Sequence, residues 1–283
     1  MKAPEFDYAN PQTLQEALVM LDDNERDVTL LAGGQSLMPM LNFRLAAPDL
    51  LVDLNGIDEL SGIVDRGDAI VIGAMTRYVE LETSDLVSRH LPLLMRALPM
   101  IAHPAIRNRG TIGGSVALAD PAAEIPALLL ALDATIIVTS IKGERAVMAA
   151  AFFLGLYETA LRPGEMVKAI SIPKATAARR FAFEELTRRH GDYAMVGIAA
   201  TAEDINPFAD LRLAFFGVAD RAIRVVGAEE ALSGHMPNDE DALSRAMEAI
   251  AGFVFDGDLN ASAKTKQHLA KVLLKRVLKA LSS

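Results

Sequence analysis

Two short segments, Ala32-Gly33-Gly34-Gln35-Ser36 and Thr111-Ile112-Gly113-Gly114-Ser115, constrain this chain more than anything else in it. Each is a glycine pair flanked by a hydroxyl or a polar side chain. Glycines there free the backbone for positive φ and let its N–H groups approach an anion with no Cβ in the way. Either pair alone reads as an ordinary tight turn. Two of the same chemistry in one chain can face one diphosphate from both sides, with aligned amides doing most of the neutralising. Arg107 and Arg109 flank the second segment and either assist an anion or simply keep the loop soluble. No G-x-G-x-x-G follows any expected strand and no Walker A sequence occurs, so a dinucleotide in an unconventional fold is favoured over NAD on a doubly wound sheet or ATP on a phosphate loop.

The rest of the sequence narrows the chemistry further. A net charge of −9 leaves no basic face for nucleic acid or an anionic membrane, so any phosphate is held locally. Cysteine is absent, which removes disulfides, thiolate nucleophiles, Cys-ligated zinc and iron–sulfur clusters together. The five histidines, at 90, 103, 190, 235 and 268, never fall at i, i+3 or i+4, so no metal site is expected. Neither a secretory signal nor an apolar run of spanning length is evident, and a soluble, cytoplasmic protein without membrane insertion is the expectation.

Along the chain, Thr13 and Glu16 stand at capping-box spacing before a helix over 13–22. Val28–Leu31 reads as a strand that ends directly in the first glycine segment, and Leu50–Leu54 as another. The pattern predicts a strand at Ala69–Ala74, a helix around 86–98, a second glycine loop, a helix opening at Pro121 and running to Leu132, and strands at 135–139 and 166–172. Asp120 and Glu124 form a carboxylate pair near that helix start. Beyond Pro173 come strands at 180–187, 195–201 and 211–218, then helices near 226–233, 239–251 and 262–281. The last carries Leu269, Val272, Leu273, Val277 and Ala280 as a stripe, the pattern of a docked amphipathic helix with a solvated basic side. The division expected is 1–55, an N-terminal α/β unit; 56–175, a second unit; and 176–283, a separate α+β unit.

With these residues in view, LLAGGQSLMPMLNFRLAAPDLLVDLNGI and RNRGTIGGSVALADPAAEIPALLLALDA resemble the FAD-binding medium subunit of molybdenum hydroxylases, as found in aerobic carbon monoxide dehydrogenase and, more distantly, in the flavin domain of xanthine dehydrogenase. The later segments EMVKAISIP and FEELTRRHGDYAMVGIAATA extend the resemblance over essentially the whole chain. It implies an α+β protein with an FAD-binding fold of the vanillyl-alcohol oxidase and cell-wall-reductase type, two N-terminal subdomains clasping a non-covalent FAD and a C-terminal α+β subdomain covering one side of the ring. It also implies that Ala32, Gly33, Gly34, Gln35 and Ser36, continued by Leu37 and Met38, together with Thr111, Gly113, Gly114 and Ser115, contact the diphosphate and ribityl chain. Ile101 then lies near the cofactor, Glu124 accepts the adenosine ribose hydroxyls, Lys168 sits beside the flavin pyrimidine edge, and Tyr193 stands at the isoalloxazine. Asp120 is the weaker ribose candidate, and Glu124 also reads as a first-turn acid that favours the helix dipole. One departure stands out: many relatives carry a lysine where this chain reads Phe183-Glu184-Glu185-Leu186, and an acid there disfavours an anionic reduced ring.

The function implied is that of an oxidoreductase subunit whose flavin takes electrons from an iron–sulfur small subunit and passes them to an external acceptor, while a large subunit holds the molybdopterin. Molybdopterin and 2Fe–2S clusters are expected only in those partners, the whole forming a dimer of heterotrimers. Two other readings stay open on sequence alone: a self-contained FAD-dependent oxidoreductase with its own substrate pocket, and a non-catalytic nucleotide-binding module.

Overall fold

The computed structural model describes residues 2–282. The N-terminal unit is a parallel sheet of β1 (Asp7–Ala9), β2 (Val28–Leu31) and β3 (Leu50–Asp53), ordered β1-β3-β2, with α1 (Leu14–Leu21) between β1 and β2 and α2 (Leu37–Asn42) between β2 and β3. The expected capping box starts α1: the Thr13 hydroxyl accepts the Glu16 amide, and the Glu16 carboxylate accepts the amide of Thr13. Leu14, Ala17 and Leu18 bury the face that this spacing presents, against Val52, Leu54 and Leu60.

The middle of the chain builds a five-stranded antiparallel sheet. It begins with β4 (Ile63–Asp65) and β5 (Ala69–Gly73), then passes through α3 (Tyr78–Glu82), α4 (Asp85–His90), α5 (Pro92–Ala97), α6 (Pro104–Arg107), α7 (Ile112–Leu118) and α8 (Glu124–Ala131). It returns as β6 (Thr135–Ser140) and β7 (Gly143–Met148), followed by α9 (Ala149–Phe152), a hairpin of β8 (Phe153–Gly155) and β9 (Glu158–Thr159), and β10 (Met166–Pro173). The strand order is β4-β5-β10-β6-β7, so the last strand to arrive occupies the centre.

Three expectations change here. The helix around 86–98 is broken, because Leu91 precedes Pro92 and takes φ −128°, ψ 58°, outside the helical region as a residue before proline tends to be. The helix expected from Pro121 begins at Glu124, since the Asp120 carboxylate accepts the Ala122 amide at 2.9 Å and turns the chain first. The edge strand β7 was not expected at all; its apolar residues are too few and too exposed for the pattern to show.

The C-terminal unit is an antiparallel sheet of β11 (Arg180–Leu186), β12 (Val196–Ala202), β15 (Arg212–Phe216) and β16 (Ile223–Arg224), interrupted by a small hairpin of β13 (Asp204–Ile205) and β14 (Phe208–Ala209). Helices α10 (Val226–Leu232), α11 (Glu240–Ala251) and α12 (Ala263–Leu281) follow, as the sequence pattern predicts to within a residue or two. All of β12 is buried because α12 covers one face and α8 the other. The cores interpenetrate: Met75 and Met166 join the N-terminal cluster, and Phe181, Ala199, Ala214 and Phe216 join the large central one. Among the described residues, no helix is long and apolar enough to cross a membrane.

Candidate functional site

The two glycine segments meet. An ideal Cβ on Gly33 would stand 2.2 Å from the Arg109 carbonyl oxygen and 2.9 Å from the Gly110 Cα, so the backbones of the two segments are in direct contact and only glycine fits between them. Beside this seam opens a cleft of about 250 Å³, partly continuous with solvent, reached by residues of all three sheets' connections.

Of the residues singled out from sequence, Ala32, Gly33, Gly34, Gln35, Ser36, Leu37, Ile101, Thr111, Gly114, Ser115, Glu124 and Tyr193 line this cleft. Three do not. Met38 faces a second cleft on the far side of the first segment, shared with Asn42, Asn55, Arg77 and Arg109. Gly113 lies beneath the surface, where a Cβ would come 2.4 Å from that of Ala74; it is needed so that α7 can pack closely on the segment that follows β5. Lys168 is turned away, its ammonium paired with Glu144 of β7, because its position at a bulge in β10 points it across the outer face of the sheet. Only its carbonyl reaches toward the site, accepting the Ala74 amide at 2.9 Å.

The segments differ in what they offer an anion. Positive φ occurs in the first only, at Gly34 (φ 71°), and among the described residues the amides of Gly33, Gly34, Gln35 and Ser36 have no acceptor. Consecutive free N–H groups around a left-handed residue are an anion-binding nest. Asn55 pins this loop by donating to the Ala32 carbonyl at 3.0 Å. The second segment is not a loop but the first turn of α7. Its amides are already used: Ile112 donates to Thr76, Gly113 to Ala74, and Gly114 to the hydroxyl of its own cap Thr111 at 3.2 Å. What α7 contributes is the Thr111 and Ser115 hydroxyls and the positive end of the helix dipole. Arg107 is absorbed in the scaffold, 2.7 Å from Glu82 and donating to the Ile101 carbonyl, whereas Arg109 borders the second cleft.

At the other end of the cleft stand the carboxylates. Glu124 is 7% exposed in the first turn of α8, and burial pushes its carboxyl up to about 7, with Asp120 a smaller push the same way. Asp120 is engaged by the Ala122 amide and by the hydroxyls of Tyr157 and Tyr193. Tyr193 is 59% exposed overall and covers the mouth, yet desolvation of its hydroxyl and the Asp120 charge raise its phenol to about 12. Tyr78, which nothing in the sequence marked, is buried against Gly110 and Ser115 at the cleft wall, and burial holds its phenol protonated. Ala102, Leu118 and Asp192 also line the site and carried no signal beyond their neighbours.

Glu124 gives a pH prediction. Between the ordinary carboxyl value of 4.5 and about 7, the folded chain holds a proton that the unfolded chain has released, so stability falls as pH rises through that window. The melting temperature of the ligand-free chain should therefore depend less on pH in that window for Glu124→Gln than for the natural chain. Parallel curves would refute the assignment.

Residues 4–175 match the family described as the FAD binding domain in molybdopterin dehydrogenase, and residues 181–281 that described as the CO dehydrogenase flavoprotein C-terminal domain. The carbon monoxide dehydrogenase medium chain of Hydrogenophaga pseudoflava is 39% identical, over 99% of this chain and 98% of its own. The 6-hydroxypseudooxynicotine dehydrogenase complex subunit alpha of Paenarthrobacter nicotinovorans is also 39% identical, over 98% and 95%. In solved structures, carbon monoxide dehydrogenase from Hydrogenophaga pseudoflava superposes with a TM-score of 0.96 at 40% identity, covering 100% of this chain and 99% of that one. Quinoline 2-oxidoreductase from Pseudomonas putida 86 gives 0.92 at 38%, with the same coverage.

Proposed function

Because this chain belongs to the family of FAD-binding subunits of molybdopterin dehydrogenases, we propose that it is the electron-transfer subunit of a larger hydroxylase complex and holds one non-covalent FAD in the cleft between its glycine segments. It is an oxidoreductase subunit with FAD as its cofactor. The observation that carries the reading is the nest of four unpartnered amides at 33–36, opposite the hydroxyl-bearing N-terminus of α7. That arrangement fits a diphosphate and needs no cationic cluster.

In this reading the Gly33–Ser36 amides take the diphosphate oxygens, while the Ser36, Thr111 and Ser115 hydroxyls orient the diphosphate and the adjoining polyol. Glu124 accepts from the adenosine ribose hydroxyls, which find no better acceptor because Asp120 is occupied by two tyrosines and an amide. Ile101 and Tyr193 exclude water from either side of the ring position. The flavin supplies a centre that takes up and releases electrons singly or in pairs. The chain's own part is to hold and shield it, in three subdomains divided at 55 and 175.

With no cysteine in the chain, its electrons come from a partner. We assign this to an iron–sulfur subunit that is fed by a molybdopterin subunit, with an external acceptor beyond the flavin and the complex in the cytoplasm. The purified single chain should carry one FAD, released in full by acid precipitation. It should be reducible chemically and reoxidised by an artificial acceptor, yet leave carbon monoxide, purines and aldehydes untouched. Adding iron–sulfur and molybdenum subunits should restore substrate-dependent flavin reduction. Catalytic turnover of such a substrate by the chain alone, free of iron and molybdenum, would replace this reading with a self-contained oxidoreductase.

A further inference from the structure

The strand β11 alternates its side chains between two cores. Ala182, Glu184 and Leu186 face α12, and Glu184 lies 3.9 Å from Arg276 there. Phe181, Phe183 and Glu185 face the central core, where α5 and α8 pack. Glu185 pairs across to Gly197 of β12, beside the stacked rings of Phe183 and Phe216. Both of its carboxylate oxygens are shut off from solvent, and neither meets a hydrogen-bond donor.

The charged and titratable groups around it are few. Glu124 at the start of α8 acts on it directly through space. Asp120, ahead of α8, is already engaged. Arg96 of α5 donates to the Phe181 carbonyl, and Arg276 of α12 lies on the opposite face of the sheet. No cation therefore serves the Glu124–Glu185 pair, and no group of three acids or histidines that could hold a metal exists among the described residues. Glu124 keeps a bond from its own backbone amide, whereas Glu185 meets no donor at all, and two carboxylates that act on each other with no cation beside them do not readily both ionise. A buried acceptor left unpaired is costly, and a proton on it removes most of that cost.

We propose that Glu185 is a proton-holding positioning residue of the cofactor site, whose neutral carboxyl keeps the Glu124–Glu185 pair at a single negative charge and leaves Glu124 as the anionic acceptor for the ribose hydroxyls. The proton belongs on Glu185 because both of its oxygens are buried without a donor while Glu124 keeps its own amide; burial first, and the Glu124 charge second, push Glu185 up to about 8. Loss of that proton in alkali places a second uncompensated charge behind a site that binds a diphosphate, and FAD affinity falls.

The inference rests on the cleft being the FAD site, and its test separates the two. FAD affinity of the flavin-stripped chain is measured by flavin fluorescence quenching across neutral to alkaline pH, alongside infrared spectra of the ligand-free chain. The natural chain should bind FAD about tenfold more weakly at pH 9 than at pH 7. Glu185→Gln, which cannot ionise, should remove that fall and also remove the protonated-carboxyl C=O band that titrates last, on the alkaline side of neutrality, in the natural chain. The same pH dependence in Glu185→Gln, or no such band in the natural chain, overturns the proposal. If the band is lost but the pH dependence is not, and Gly33→Val still binds FAD normally, the proposal falls because the cleft reading has failed; with flavin lost in Gly33→Val, it falls on its own.

Discussion

Replacing Gly33 with valine is expected to give a folded chain that purifies nearly colourless. The added Cβ would meet the Arg109 carbonyl oxygen at 2.2 Å and the Arg109 carbonyl carbon and Gly110 Cα at 2.9 Å. These are backbone atoms at the entrance to α7, tied down by the Tyr78 amide donating to the Gly110 carbonyl at 3.1 Å, so no flexible side chain can give way. The glycine segments must separate. Overpacking of this kind costs about 1–3 kcal/mol, and the loss of nest geometry adds to it, so FAD affinity should fall roughly 100-fold. Gly114→Val should do less, since its Cβ would meet the Thr111 hydroxyl at 2.8 Å and could displace it at the cost of the cap. The flavin-to-protein absorbance ratio after gel filtration reads both. Full occupancy in Gly33→Val would sink the model of the cleft.

Gly197→Val is expected to damage stability more than any change at the cleft. Its Cβ would sit 2.0 Å from the Phe216 Cζ and 2.2 Å from Cε1. That ring has no exposed surface and stacks on Phe183 at 5.8 Å with 20° between planes, so it has nowhere to turn. Either the ring leaves its rotamer or β12 and β15 part, and both happen in the middle of a fully buried strand. A loss of about 3 kcal/mol or more is expected, lowering the melting temperature by roughly 10 °C. A shift within about 2 °C would show that the packing around Phe216 is looser than these contacts describe.

The sequence made legible what depends on local chemistry. Thr13 with Glu16 marks a helix start, Val28–Leu31 running into two glycines marks a strand leading to a nest, and the stripe from Leu269 to Ala280 marks a docked helix; each signal is complete within a few residues. What depended on distant neighbours was not legible. Thr111–Ser115 reads as a loop because two glycines disfavour a helix, but the Thr76 and Ala74 carbonyls accept the Ile112 and Gly113 amides respectively, and Ala74 leaves no room for a larger side chain at 113. Lys168 reads as a site cation until Glu144, on a strand with almost no sequence signature, claims it. Tyr78 gave no signal because its place at the cleft wall comes from what packs over it, Gly110 and Ser115. The carboxylate at 185 was visible as a departure, yet that its two oxygens are buried without a donor depends on how β11 packs into the central core.

The placement of β10 at the centre of its sheet bears on how the protein is made. Until residues 166–173 have been synthesised, β5 and β6 have no shared neighbour, and each presents an open edge of the kind that pairs with other chains. The helix bearing the second glycine pair rests on this same strand. A ribosome-bound chain ending shortly before Met166 therefore has both glycine segments in its sequence but neither a closed sheet nor a seated α7. Its flavin cradle does not yet exist. On the proposed cleft, flavin capture is therefore expected only after β10 is in place, and until then two strand edges stay open to pairing with other chains.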